Sequence, residues 1–365
     1  MKRRILMHMG PSVGNYRVLV AGSEENVGFA SPEFISAMKE CLDGLAELTG
    51  ADGGYLPFII PGSGTAAMES VTAFLREGDR ILVLSNGVFG DRWSQIFERF
   101  PVQVDKLTAR AGESVAMNRI SEMVSANSYR MTVMTHVETS TGVRAPVREM
   151  ISAVRKNSDI VVVDGVASVG GEEVNAALWN ADIVLTASQK AIGAPPGLGL
   201  LVVRKSLLAS ADKDRVCGYF LDLRNWAQVM EGMMALKGGY FSTPPVSAVF
   251  SMREAIRLAR EEGLSSRVER HAAAASAIRK AVEDMGLQVV AREGLRSNTV
   301  TGVLLGGLDP GEFLKRCADN GVEFAAGVHP ELKGRYFRIG HMGWVNSNDV
   351  AAAIHAMKKT VGEMT

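Results

Sequence analysis

The chain has 365 residues, and its 40 Lys and Arg balance 40 Asp and Glu, for a formal net charge of zero. That balance leaves no general basic field and argues against nucleic acid or an acidic membrane surface as a main partner. Hydrophobic residues at 47% and charged residues at 22% exclude extensive disorder. The length is ample for a large core divided between two domains. The longest uncharged stretch, 53–68, is broken by Gly and Pro and falls short of the ~20 apolar residues of a transmembrane helix. The opening MKRRILMHMGPSVG has a basic start, but its apolar run stops within a few residues, so no signal peptide is expected. Three well-separated cysteines (Cys41, Cys217, Cys317) fit a reducing compartment better than a disulfide framework. A soluble, cytoplasmic protein is expected.

In chain order, the pattern predicts strands at YLPFII (55–60), RILVLS (80–85), VQVDKL (102–107), RMTVMTH (130–136), DIVVVDG (159–165), ADIVLTA (181–187) and GLGLLVV (197–203). Between them it predicts helices at Thr65–Arg76, Asp91–Phe100, Met117–Ala126, Pro146–Asn157 and Glu173–Trp179. Strands apolar on both faces and alternating with helices point to an α/β fold with a mostly parallel sheet covered on both sides. After about residue 245 the texture changes. Two helical stretches, Pro245–Glu262 and Leu264–Met285, lead into short strands at 287–291 and 298–305, a helix near Gly311–Asn320, a strand at 335–340 and a closing helix over 347–363. This reads as a smaller C-terminal α+β unit. The expected division is an N-terminal arm (1–20), a large domain (21–255) and a small domain (256–365).

Three places along the large domain could carry chemistry. In PFIIPGSGTAAMESVTAFL (57–75) a strand runs into Gly62-Ser63-Gly64-Thr65 and then a helix. Small residues let backbone N–H groups approach an anion, and Ser63 and Thr65 add hydroxyls. A simple Ser/Thr helix cap reads equally well there, and no Lys follows Gly64 to make a P-loop. Asp164 ends the apolar strand Ile160-Val161-Val162-Val163, on the sheet edge where α/β proteins bind ligands. Such an Asp serves a ribose, a metal, a protonated heterocycle or merely the next helix. Lys190 follows the next apolar strand, flanked by small residues and then by IGAPPGLGLLVV. Most single lysines are solvated, but one at a strand end with no adjacent acid can be desolvated and nucleophilic. Together these are the anchors that pyridoxal 5'-phosphate needs: a dianion site, a carboxylate for the ring nitrogen and an amine for a Schiff base. No metal site is read, and a Rossmann G-x-G-x-x-G is absent from the position a dehydrogenase requires.

The chain resembles the fold-type I, class V aminotransferases, closest to the alanine–glyoxylate and serine–pyruvate group. The likeness runs from about Gly10 to the last helix, through PGSGTAAMES (61–70), NGVFGDRW (86–93), ETSTGV (138–143), VDGVASVGG (163–171), SQKAIGAPPG (188–197), YFSTPPV (240–246) and RIGHMG (338–343). It implies a large domain with a mostly parallel seven-stranded sheet. It implies a homodimer with shared active sites that exchanges an amino group between an amino acid and a 2-oxo acid. By position, the resemblance makes Lys190 the Schiff-base lysine and Asp164 the partner of the pyridine nitrogen. Ser63, Gly64, Thr65 and Gln189 would hold the phosphate, Phe89 would stack on the ring with Val166 on the opposite face, and Thr139 would bond the ring's 3-oxygen. Tyr240 and Thr243 would reach the cofactor of the neighbouring subunit. Arg338 would clamp the substrate α-carboxylate, a planar task suited to guanidinium, and Gly10 would border the substrate.

Two segments depart from the family. Its Gly-Pro-Gly-Pro turn is reduced here to Met9-Gly10-Pro11-Ser12, and a segment that often carries His reads Gly28-Phe29-Ala30-Ser31. Both are expected to shape the substrate pocket. A cysteine desulfurase of the same fold would want His beside the lysine and a Cys on a loop, whereas here Gln189 adjoins Lys190 and Cys317 sits in a helical pattern. A dicarboxylate donor needs a second cation. Arg17, Arg92 and Arg335 are poorly placed for that, Arg92 being expected on an amphipathic helix beyond the Phe89 turn. Alanine or serine is therefore expected to outperform aspartate as donor, with glyoxylate or pyruvate as acceptor.

Overall fold

The computed structural model describes residues 4–25, 27–209 and 217–365. Met1–Arg3 of the expected N-terminal arm lie outside the described residues. The chain opens with a two-residue strand β1 (Ile5–Leu6) and a short helix α1 (Tyr16–Ala21), followed by the long helix α2 (Pro32–Thr49). Ser31 caps α2 by accepting the Phe34 N–H, Pro32 occupies its first turn, and Gly50 closes it in the left-handed conformation at φ 59°. The pattern above omits this helix.

The alternation that follows matches expectation closely. It runs β2 (Tyr55–Gly62), α3 (Gly64–Ser70), β3 (Arg80–Ser85), α4 (Val88–Phe97), β4 (Gln103–Thr108), α5 (Met117–Ala126) and β5 (Tyr129–Thr135). A hairpin β6 (Val137–Glu138) and β7 (Val143–Arg144) comes next, then α6 (Val147–Val154), β8 (Ser158–Asp164), α7 (Ala176–Trp179), β9 (Ile183–Ala187) and β10 (Gly197–Arg204). Helix α7 is shorter than predicted because Asn175 caps it, accepting the Leu178 N–H. The stretch after α3 tightens into a 3₁₀ turn over Val71–Phe74 rather than continuing to Arg76.

Seven of these strands form one sheet in the order β2-β10-β9-β8-β5-β3-β4. All neighbours are parallel except β10, which runs antiparallel to both β2 and β9. Residues 160–163 and 183–187 are buried throughout, as strands covered on both faces must be. The other strands run so that the carboxyl ends of β2, β3, β5, β8 and β9 share one edge. In register, Asp164 lies beside Thr135 on one side and Leu185 on the other.

Beyond this sheet come α8 (Lys205–Ala209), α9 (Leu223–Met234), α10 (Val246–Glu262) and α11 (Leu264–Asp284). Helix α9, also missing from the pattern, buries Trp226, Val229, Met230 and Met233. Gly263, at φ +84°, separates α10 from α11. The C-terminal portion contains β11 (Gln288–Val289), β12 (Val300–Leu304), α12 (Pro310–Asp319), β13 (Val322–Glu323), β14 (Ala325–Ala326), β15 (Tyr336–Gly340) and α13 (Ser347–Met364). Strands β11-β12-β15-β14 make a separate antiparallel sheet, while β1 from the chain start pairs in parallel with β13. One apolar core fills the space around the large sheet and a second lies under the small one. A small cluster that includes Met9, Val137, Ala191, Val300 and Met342 joins them. No helix among the described residues is long and apolar enough to cross a membrane.

Candidate active site

The carboxyl edge of the large sheet opens into a cavity whose wall carries most of the residues singled out by sequence: Ser63, Gly64, Thr65, Phe89, Thr139, Asp164, Val166, Gln189 and Lys190. They arrive in groups from the ends of β2, β3, β6, β8 and β9 or from the turns after them, which is how an open α/β sheet concentrates chemistry.

At the end of β2, Ser63 occupies the N-cap position of α3, yet its hydroxyl makes no capping bond. That leaves the hydroxyl free of the helix-cap role its position allows. At Gly64 space is tight, since a Cβ there would stand 3.0 Å from Val166 Cγ2. At the end of β8, Asp164 is buried, and its Oδ1 accepts the Val166 N–H at 3.0 Å. Burial raises its carboxyl to about 6, with the nearby Glu138 charge adding to the rise.

Lys190 follows β9 and is held by the N-terminal arm. Its amine donates to the Met9 carbonyl, Ser12 Oγ donates to the Lys190 carbonyl at 2.8 Å, and the Ser12 N–H donates to Gln189 O at 3.0 Å. Burial lowers the amine to about 8, and the charges of Arg338 and Arg92 push the same way against Asp164 and Glu138. Gly10, expected to border the substrate, lies against this lysine at φ +126°.

Phe89 projects from the start of α4, where Glu138 fixes the backbone. The fully buried Glu138 carboxylate accepts the Phe89 and Gly90 N–H groups, both at 3.1 Å, and also the Ser140 N–H at 2.9 Å and hydroxyl at 2.7 Å. Arg338 lies on β15, 8% exposed, donating to Ala326 O at 2.9 Å and Thr139 O at 3.1 Å. It stands behind Thr139 near Lys190 rather than in the cavity wall. His341 is buried between Thr301 Oγ1 (2.9 Å) and Asn298 O (2.8 Å), the local bonding its position suggests.

Tyr240 and Thr243 do not join this cavity within one chain. Tyr240 is exposed, packs on Phe29 with ring centroids 4.8 Å apart, and has its hydroxyl 3.5 Å from Thr243 Oγ1. The segment Gly28–Ser31, with Glu24 and Glu25, is likewise absent from the cavity wall of its own chain.

Two residues outside the expected set support the site: Thr135, at the end of β5, lines the cavity, and Glu138 anchors the Phe89 turn; a strand-end position and the ETSTGV motif are their signals. Arg92 is the correction. It lines the cavity, its Nη1 donating to Thr65 Oγ1 at 3.2 Å and its guanidinium 4.8 Å from the Phe89 ring centroid. The first turn of α4 faces the sheet edge, so a residue one turn beyond Phe89 points back into the site. Arg17 and Arg335 are engaged elsewhere: Arg17 pairs with Glu254 and Glu261, and Arg335 donates to the Glu331 carbonyl.

The residues present fit pyridoxal phosphate. Gln189 Oε1 and Thr135 Oγ1 are buried in the cavity wall without hydrogen-bond partners, and the Ser63 hydroxyl is unused by the helix. Among the described residues, the buried Asp164 carboxylate has no direct cationic partner, which makes it the complement of a protonated ring nitrogen. None of the three cysteines lines the cavity, and the Cys317 thiol is buried in α12 and pushed up to about 11, unlike a nucleophilic thiolate.

Comparison with known proteins agrees. Residues 15–341 match the family model of the class-V aminotransferases. The chain is 34% identical over 355 residues to alanine–glyoxylate aminotransferase 1 of Saccharomyces cerevisiae, covering 93% of this chain and 91% of the yeast protein. It is 30% identical over 323 residues to L-aspartate–glyoxylate aminotransferase of Paracoccus denitrificans, covering 86% and 80%. The crystal structure of an alanine–glyoxylate aminotransferase from Nostoc sp. superposes with a TM-score of 0.92 at 26% identity, covering 99% of this chain and 96% of that one. The chain belongs to the class-V aminotransferases, as a fold-type I enzyme dependent on pyridoxal phosphate.

Proposed function

We propose that this aminotransferase takes the amino group of a small monocarboxylic amino acid, alanine or serine, and passes it to glyoxylate or pyruvate. The aminotransferase part of the reading rests on a part-buried amine, Lys190, and a buried carboxyl, Asp164, in the wall of one cavity. Bound there, pyridoxal phosphate supplies a carbonyl that condenses with amines and a ring that accepts the electrons released at the substrate Cα. The chain's own residues do the rest. Ser63, Gly64, Thr65 and Gln189 would bind the phosphate, Phe89 and Val166 would hold the ring between them, and Thr139 would bond its 3-oxygen. Asp164 would keep a proton on the ring nitrogen. Lys190 Nζ would move the proton away from Cα, and its lowered pKa leaves a larger free-base fraction near neutral pH than an ordinary lysine has. Arg338, which donates to the Ala326 and Thr139 carbonyls behind the cavity wall, would turn from them to clamp the α-carboxylate.

The active unit in this reading is a homodimer. Tyr240 and Thr243 are exposed, beside Phe29, and serve the neighbouring subunit's cofactor. Monocarboxylic donors are supported by the engagement of Arg17 and Arg335 away from the cavity. An aspartate donor is the second reading, supported by the presence of Arg92 in the wall and by the Paracoccus relative. The deciding measurement is kcat/KM for alanine, serine and aspartate against glyoxylate. Alanine or serine leads in this proposal; an aspartate value about tenfold above both, ~1.4 kcal/mol of transition-state preference, overturns it.

A further inference from the structure

We propose that Arg92 is the cation of the cofactor's phosphate site, an inference that rests on Ser63–Thr65 being the phosphate cradle. The cradle as read from sequence contains hydroxyls, N–H groups and the neutral Gln189, but no positive charge. A phosphate dianion withdrawn from water needs one. Among the described residues, the cations that line the cavity are Lys190 and Arg92. Lys190 directs its amine at the Met9 carbonyl. Arg92 reaches the cradle itself, donating one N–H to Thr65 Oγ1 at 3.2 Å.

Among the described residues Arg92 makes no ion pair. Its chain neighbour Asp91 is taken by Ser85 Oγ at 2.9 Å and Lys106 Nζ at 3.0 Å. Glu138, the other nearby acid, is filled by the N–H groups of Phe89, Gly90 and Ser140. The guanidinium rests 4.8 Å from the Phe89 ring centroid, which orients its plane without consuming a donor. A guanidinium with five donors and one of them on Thr65 keeps several for phosphate oxygens. The same Phe89 that flanks the ring would thus carry the phosphate's counter-charge.

The test compares binding of pyridoxal phosphate with binding of pyridoxal, which lacks the phosphate, to the full chain freed of cofactor, followed by absorbance titration. Arg92→Gln is expected to weaken pyridoxal phosphate about 10- to 100-fold, the scale of a lost charge-assisted hydrogen bond, while changing pyridoxal no more than about threefold. Arg92→Lys should fall between. The ratio of aspartate to alanine turnover should not move. Equal weakening of both ligands, or of neither, overturns the proposal. So does a selective loss of aspartate turnover, which would assign Arg92 to a substrate side-chain carboxylate. Ser63→Ala with Thr65→Val is measured in parallel. If that variant loses the preference for pyridoxal phosphate and Arg92→Gln keeps it, the cradle stands and the role of Arg92 falls. If the Ser63/Thr65 variant keeps the preference, the cradle reading itself falls.

Discussion

Gly10 and Lys190 are in contact: a Cβ on Gly10 would stand 2.9 Å from each of Cδ, Cε and Nζ of Lys190. Gly10 also sits at φ +126°, a conformation that L side chains rarely adopt. A side chain here would be strained by the backbone conformation, and it would push the flexible end of Lys190 from its place. Gly10→Ala is expected to lower kcat by about tenfold or more, because a displacement of an ångström at a reacting group is costly. Lys190→Ala, as comparator, should retain the cofactor without a covalent bond and lose turnover by several orders of magnitude. Borohydride reduction followed by mass measurement of the Lys190 peptide reports the covalent fraction. Wild-type turnover in Gly10→Ala would show that the arm does not set the lysine.

The second expectation concerns subunits. Tyr240 and Thr243 lie outside their own chain's cavity, so a site that uses them must borrow them. A Lys190→Ala subunit mixed with a Tyr240→Phe, Thr243→Ala subunit would assemble one site with every native group. Recovered activity in the mixture, well above either parent, is the expected outcome. An active species whose measured mass is that of a monomer would refute sharing.

A third expectation follows from Glu172, a buried carboxylate where the turn after β8 meets the C-terminal portion of the chain. It accepts from the Asn298 N–H and, at 2.9 Å, from Asn298 Nδ2, and it faces Arg144 at 3.5 Å. Burial raises it from 4.5 to about 7 despite these partners and the more distant Arg279. Folding therefore favours its protonated form. The associated stability is full below pH 4.5 and is lost as pH climbs through 7. Between pH 5 and 8 the wild type should lose about 1–3 kcal/mol that Glu172→Gln does not lose. Thermal unfolding of both proteins across that range measures the difference in slope. Parallel curves would mean that Glu172 is already ionised in the fold.

Much of this was legible in the sequence, for identifiable reasons. Strands 80–85 and 197–203 announce themselves because burial on both faces demands unbroken apolar runs. Lys190 and Asp164 were found because the strand-end rule needs only local sequence. Helices α2 and α9 were omitted although Ser31-Pro32 and Gly50 flank the first, and Trp226, Val229 and Met233 recur at helical spacing in the second. Arg92 was misjudged because a helical face is fixed only by what the helix packs on, and Glu138 anchors α4 from a segment 49 residues away. Glu138 itself was hidden for the same reason, since its partners are backbone groups and leave no mark on residue type.

The N-terminal arm has one further consequence. Leu6 is registered against Glu323 in a strand pair with the C-terminal portion, and three residues later the Met9 carbonyl receives the Lys190 amine. The intervening chain is thus a measured span between two fixed posts. Substitutions at His8 leave that span intact. Adding or removing a single residue changes it by ~3.3 Å, longer than a hydrogen bond, and swaps which side chains face inward. Related sequences of equal activity should therefore vary in the letters between Leu6 and Met9 and keep their number.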